Sequence, residues 1–166
     1  MTYEYCYPLS NIGGDYIRAI GGAVLCLAPL ALGLEVVGAV WLLPLAALLF
    51  GIFLVRTILK HVTTVTVSDQ WITLQSIRET TVPWEKLTEL TLSYFTTWKS
   101  GGKGWMQLRL RGAGKTLRVE SSLTGFEHVA ELATAAARAN QVVLTATTLS
   151  NLESLGVSIF PPEAAA

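Results

Sequence analysis

Two cysteines, two histidines and two aspartates in 166 residues leave little material for several kinds of chemistry. Cys6 and Cys26 have no Cys or His at metal-ligand spacing, so a metal centre or a disulfide framework is not expected. His61, His128, Asp15 and Asp69 are scattered, and no nucleophile, base and orienting acid fall on neighbouring elements. The chain therefore reads as a binding protein, not an enzyme, with no cofactor. Charge is also scarce, at 14% of residues and a net of zero. That balance argues against a nucleic-acid partner. A cleaved leader fits poorly. The leading segment carries Glu4 and Asp15 and no Lys, no small-x-small site precedes a soluble region, and Leu25 before Cys26 does not suit a lipoprotein site.

Apolar residues are abundant, at 51% of the chain with a mean hydropathy of +0.47. They are concentrated in one block, residues 17–55, whose only charges are Arg18 and Glu35. One membrane crossing takes about 20 apolar residues, so the block is long enough for two. A carboxylate in the bilayer centre is costly, which places Glu35 and the glycines beside it at a turn. The expectation is a transmembrane hairpin over residues 17–56, with spans near 17–34 and 36–55. Arg18, Arg56 and Lys60 flank it, while the tip has no Lys or Arg. The positive-inside rule then puts both termini in the cytoplasm and Glu35 outside.

Tyr3, Tyr5, Tyr7 and Tyr16 precede or open the first span. They read as an aromatic belt in an interfacial segment, residues 1–16, although the same alternation fits a strand that adds to an edge or docks on a partner. Ala19, Gly22, Ala23 and Cys26 recur at helical spacing, as do Ala47 and Gly51. Small residues of this kind allow close helix packing, either within the hairpin or against another protein. Pro29 and Pro44 each fall inside an expected span and are candidate kinks.

From His61 the apolar period changes to two. Strands are expected at 62–67, 71–76, 79–82 and 87–96, with a turn at Asp69-Gln70 and a helical turn around Pro83-Trp84-Glu85-Lys86-Leu87. A hairpin over 106–110 and 116–119 turns at Gly112-Ala113-Gly114. Gly112-Ala113-Gly114-Lys115-Thr116 also invites a phosphate-loop reading. That pattern needs a glycine where Arg109 stands and a helix after it, where the sequence reads as a strand. A helix follows, with Thr124 and Glu127 spaced as a capping box and Phe126, Val129, Ala130, Ala133 and Ala137 as its buried stripe. Asn140 is a plausible stop. The tail, 141–166, contains an apolar run at 142–144, a helix near 149–155, and Phe160-Pro161-Pro162.

Some of these segments carry a resemblance. They are Val65-Thr66-Val67-Ser68-Asp69 with Trp71-Ile72-Thr73-Leu74, then Thr81-Val82-Pro83-Trp84-Glu85-Lys86-Leu87, Gly114-Lys115-Thr116-Leu117 and Ser122-Leu123-Thr124-Gly125-Phe126. Their order resembles the bacterial pleckstrin-homology-like (PH-like) domains that follow paired membrane spans. The resemblance implies a membrane α-hairpin plus an α+β domain: two transmembrane helices, then a PH-like β-barrel or sandwich over residues 57–140, capped by one C-terminal helix. It also implies a binding or scaffolding role in the bacterial inner membrane. Some such members resemble assembly or accessory factors of larger membrane complexes, photosynthetic ones among them.

The clearest binding signal is a basic run. Lys99, Lys103, Arg109, Arg111, Lys115 and Arg118 follow one another with no acid between. Alternation with Leu108, Leu110, Leu117 and Val119 puts the arginines on the outer face of a hairpin. Such a face suits anionic headgroups or an acidic partner surface, and a plain solvated face shows the same alternation. Trp98 and Trp105 bracket the glycine-rich loop beside it. Two functions follow: an accessory or scaffold subunit touching other membrane subunits, or an anionic-lipid-binding module.

Overall fold

A computed structural model describes residues 1–33, 41–96 and 104–157. Glu35, Trp98, Lys99, Lys103, most of the glycine-rich loop and the Phe160-Pro161-Pro162 stretch lie outside the described residues. The chain forms two units. One is Tyr7–Thr63; the other joins Met1–Cys6 to the chain from Thr64 onward.

The first unit is a helical hairpin. Helix α1 spans Leu9–Ala31 (23 residues) and α2 spans Leu42–His61 (20 residues). At 1.5 Å per residue these are about 35 and 30 Å long. Both are long and apolar enough to cross a membrane, and only 6% of each apolar window is buried. A core helix of a water-soluble protein would bury far more.

Helix α1 starts well before residue 17. Pro8 supplies an extended entry and Asn11 N–H donates to its carbonyl (3.0 Å). Ile12 is fully buried and anchors the first turn. Pro29 lies near the C-terminal end of α1. Pro44 falls in the first turn of α2, where the N–H has no helical partner to lose, so it does not interrupt that helix as the sequence suggested. Lys60 and His61 occupy the last turn of α2, where cations are favoured by the helix dipole.

The second unit holds two antiparallel sheets. The first has the order β1-β2-β3-β4, from Thr2–Cys6, Thr64–Ser68, Trp71–Gln75 and Glu79–Pro83. The second has the order β5-β6-β7, from Leu87–Phe95, Trp105–Gly112 and Lys115–Glu120. Of the expected barrel or sandwich, the described residues show two sheets and no closed barrel: no strand ladder joins the two sheets. Val65, Val67, Ile72 and Val82 of the first sheet are buried, as are Leu90, Leu92, Leu108, Leu110, Leu117 and Val119 of the second. The 3₁₀ turn Trp84–Lys86 links the sheets, with Trp84 Nε1–H donating to the Ser68 carbonyl (2.8 Å).

Strand β1 is the main departure from the sequence reading. It precedes the helical hairpin yet pairs with β2, which follows it, from Thr2↔Ser68 to Cys6↔Thr64. Residues 1–16 are therefore divided between an edge strand and the start of α1. Alternating Val and Thr in β2 offers a ladder that the alternating tyrosines of β1 can join. Tyr3 and Tyr5 both meet the His128 ring edge-on, at 5.0 and 6.1 Å between centroids, and the Tyr5 hydroxyl is hydrogen-bonded to His128 Nδ1.

Two C-terminal helices are present: the capping helix, and the tail helix expected near 149–155, which starts earlier, at Ala146. Helix α3 spans Phe126–Ala139 and buries the expected stripe of Phe126, Val129, Ala130, Ala133 and Ala137. Its capping box does not form. Gly125 is the cap residue, in the left-handed region (φ 64°), because the Tyr5 ring occupies the space a Cβ would need. Thr124 is diverted to β1, donating to the Cys6 carbonyl (3.0 Å) and accepting from Cys6 N–H (3.2 Å). Asn140 ends α3 and donates to the Trp84 carbonyl (2.6 Å).

Helix α4, Ala146–Ser154, is capped by Thr145 and packs along β5. Thr148 Oγ1 accepts from Leu92 N–H (3.4 Å) and Asn151 Nδ2 donates to the Leu92 carbonyl (2.7 Å). Removing both groups leaves a buried edge N–H and C=O without partners, at about 1–3 kcal/mol each. The double change Thr148→Ala with Asn151→Ala should lower the thermal midpoint by several degrees, read by near-ultraviolet circular dichroism.

Burial first, and the nearby Tyr3 phenol second, push the Tyr5 hydroxyl above its ordinary pKa of 10.0. The folded state thus holds this proton more tightly than the unfolded chain. Its contribution stands in full below pH 10 and is lost as pH rises through the folded value. Melting temperatures taken above pH 10 should fall less steeply for Tyr5→Phe than for the parent chain.

Candidate functional site

The turn Ala113-Gly114 has positive φ at both residues (50° and 72°), the signature of a type I′ hairpin. It joins β6 to β7 in the register Gly112↔Lys115, Leu110↔Leu117 and Leu108↔Val119. These residues form a hairpin, so the phosphate-loop reading falls away. Gly112 is needed because a Cβ there would lie 2.5 Å from the Lys86 carbonyl oxygen.

Leu108, Leu110, Leu117 and Val119 are buried, which sends Arg109, Arg111 and Arg118 to the opposite face. Arg109 stands opposite Arg118 on one side and Thr91 on the other; Arg111 stands opposite Thr116 and Glu89. Glu89 is the residue that sequence reading missed. Its carboxylate accepts from Arg109 Nη2 (2.8 Å) and lies 3.8 Å from Arg111 Nη1. The basic run contains no acid along the chain, but β5 brings one from twenty residues upstream. Only the strand register could have revealed it.

The face is therefore less uniformly positive than its sequence. Arg109 and Arg111 share one carboxylate. Arg118 and Lys115, on β7, have no ionic partner among the described residues. Arg118 also lines an open groove of about 340 Å³ with Leu74, Thr80, Thr116 and Leu117. At the far end of the β5–β6 pair, Phe95 and Trp105 stack at 5.6 Å between centroids, each about two-fifths exposed. Gly104 closes that end, its N–H donating to the Tyr94 hydroxyl (3.0 Å).

The residues expected to pack helices behave unequally. Ala19 is fully buried. A Cβ on Gly22 would overlap the Phe50 ring, so this glycine serves contact between α1 and α2. Ala23, Ala47 and Gly51 are half-buried, and Gly51 faces open space. Among the expected anchors, the Tyr16 hydroxyl and His61 Nδ1 lie 3.2 Å apart, Lys60 Nζ sits 5.3 Å from the Tyr7 ring centroid, and Arg18 pairs with Asp15 (3.1 Å). Arg56 is exposed. Tyr3 and Tyr5 stand on β1. Cys6 and Cys26 are both free thiols. No cluster of three or more His, Cys, Asp or Glu suited to a metal occurs among the described residues.

Comparison of the chain with protein-family models, with curated proteins and with solved structures finds no match in any of the three.

The Glu89 pairs are more than a third exposed, so they contribute under about 1 kcal/mol to stability. Glu89→Gln should leave the thermal midpoint almost unchanged. It should raise salt-sensitive binding to anionic vesicles severalfold in a flotation assay, because two guanidinium groups lose their counter-charge.

Proposed function

We propose that this chain is a non-catalytic docking subunit of a larger membrane protein complex, with its helical hairpin in the bilayer and its α+β domain on one side. The observation that carries the reading is the pairing of β1 with β2. The strand before the hairpin and the strand after it lie in one ladder, with two residues linking each strand to its helix. A hairpin that crosses the bilayer twice must then enter and leave from the same side. The wide apolar surface of α1 and α2, including exposed Leu25, Leu27, Leu45, Leu48, Leu49 and Ile52, finds its natural cover in lipid and in the helices of neighbouring subunits.

The domain is read as PH-like on the order of its elements: antiparallel strands, a Trp84–Lys86 turn, a hairpin and then a helix. Arg56 and Lys60, in the last two turns of α2, favour the cytoplasmic side of a bacterial inner membrane, and Arg18 stands in the half of α1 nearer β1. In this reading the exposed Leu45, Leu48, Leu49 and Ile52 of α2, with half-buried Gly51 among them, and the β6–β7 face of the domain are the surfaces offered to partners. Fold-level likeness supports a class of role and no particular complex.

A second reading, an anionic-lipid module, draws on Lys115 and Arg118, which have no ionic partner among the described residues and are each worth about 1 kcal/mol near a charged leaflet. Arg109 and Arg111, shared with Glu89, add less than the sequence suggested.

The reading is tested in two ways. In a background lacking Cys6 and Cys26, Ser68→Cys should react with an impermeant thiol reagent only from the cytoplasmic side, and Glu35→Cys only from the other. Reaction of both from one side removes the spanning hairpin. Mild detergent extraction of native membranes should give a particle far larger than the 17.9 kDa chain. A lone monomer at native expression would sink the docking role.

A further inference from the structure

Two of the four outer strands carry polar covers along their free sides. The outer side of β1 is closed at Cys6 by the Thr124 hydroxyl and backbone N–H. The outer side of β5 is closed at Leu92 by Thr148 and Asn151 of α4. On the other two outer strands, β4 and β7, no such cover meets Thr81, Thr116 or Arg118 among the described residues, and the two strands lie beside one another without a ladder between them. The groove lined by Leu74, Thr80, Thr116, Leu117 and Arg118 opens at this place.

The hairpin register says which backbone groups face it. In a two-residue hairpin the flanking pair, Gly112 and Lys115, exchanges both hydrogen bonds. The pairs then alternate. Leu117 and Val119 turn their N–H and C=O toward β6, whereas Thr116 and Arg118 turn theirs away from it. Ser121 N–H bonding to the Met106 carbonyl (2.8 Å) keeps the same phase. On the facing strand, Trp84 N–H donates to the Gln70 carbonyl (3.0 Å), so Thr80 and Val82 bond inward to β3 and Thr81 and Pro83 face out. Pro83 has no N–H to offer. Strand β7 thus presents the better edge: donors and acceptors at Thr116 and Arg118, leucine side chains in the floor, and one guanidinium without an ionic partner among the described residues.

We infer that the groove between β4 and β7 takes an extended acidic peptide, which adds as a strand to β7 and places a carboxylate on Arg118. This rests on the docking role proposed above and names the kind of segment a partner would bring. The backbone edge selects a peptide, since a headgroup would use only the guanidinium. Phosphate-rich headgroups are best held by several convergent cations, and here one arginine stands over two leucines and two threonines. Arg–carboxylate pairing then sets the sign of the peptide's charge.

The test uses the full chain in nanodiscs of neutral lipid. The probes are an acetylated eight-residue peptide of alternating valine and glutamate, its lysine counterpart, and inositol hexakisphosphate. The glutamate peptide should shift the amide resonances of Thr116 and Arg118, and the lysine peptide should not. Arg118→Glu should weaken the glutamate peptide by about tenfold or more and bring in the lysine peptide. That reversal cannot arise from misfolding. Thr116→Pro removes an outward N–H that the β6–β7 ladder does not use, so the sheet should survive while the glutamate peptide loses affinity. Peptide binding indifferent to both substitutions overturns the inference, as does a response to inositol hexakisphosphate alone. A large native particle that persists with Arg118→Glu and Thr116→Pro, without any peptide response, removes the groove and keeps the docking role. Peptide binding by a chain that is monomeric in native membranes does the reverse.

Discussion

Everything in this structure hangs on a backbone ladder between two strands that the helical hairpin separates in sequence. Tyr3↔Val67 and Tyr5↔Val65 join the start of the chain to a strand lying beyond both long helices. The ladder gives the hairpin two short links to the domain instead of one. It also hands the otherwise exposed edge of β2 a partner. The tyrosines that make β1 do a second job, since Tyr5 fills the space over Gly125 and meets His128 at the first turn of α3. One five-residue segment thereby ties a sheet, a helix start and the hairpin entry together.

The same economy governs the sheet edges. Side chains from a loop and from α4 satisfy backbone groups that a further strand would otherwise take. Thr124 does this at Cys6, and Thr148 with Asn151 at Leu92. Unpaired strand edges invite association, and these polar covers answer that hazard locally. Against this background the uncovered pair, β4 and β7, stands out. Electrostatics sharpens the contrast: Glu89 quiets Arg109 and Arg111, and the positive charge left over lies toward β7.

Much of the domain was legible in the sequence, because its signals are local. The period-two runs from Val65 to Val119, the Asp69-Gln70 turn and the Phe126–Ala137 stripe all reappear where the pattern put them. The two apolar helices were legible as well, though displaced. Asn11, Gly13, Gly14 and Asp15 hide the first turns of α1, and Trp41 to Pro44 mark a later start for α2 than hydropathy alone implied. What failed depended on distant partners. The cap of α3 passes to Gly125 under the Tyr5 ring, Thr124 leaves its capping role for Cys6, and Glu89 reaches the arginines only across a strand. None of these can be seen within a window of neighbours. The site was half legible: its positive residues were evident, its counter-charge and its open edge were not.

The placement of β1 also sets an order of assembly. A ribosome delivers this strand before its partner, which follows only after both long helices have been made. The sheet cannot close around β1 until the hairpin is complete and β2 has emerged, a closure of high contact order that is slow by nature. Through that interval β1 has no β2 to pair with. Completion of the domain thus requires that both long helices have already been made, a condition written into the chain's own connectivity.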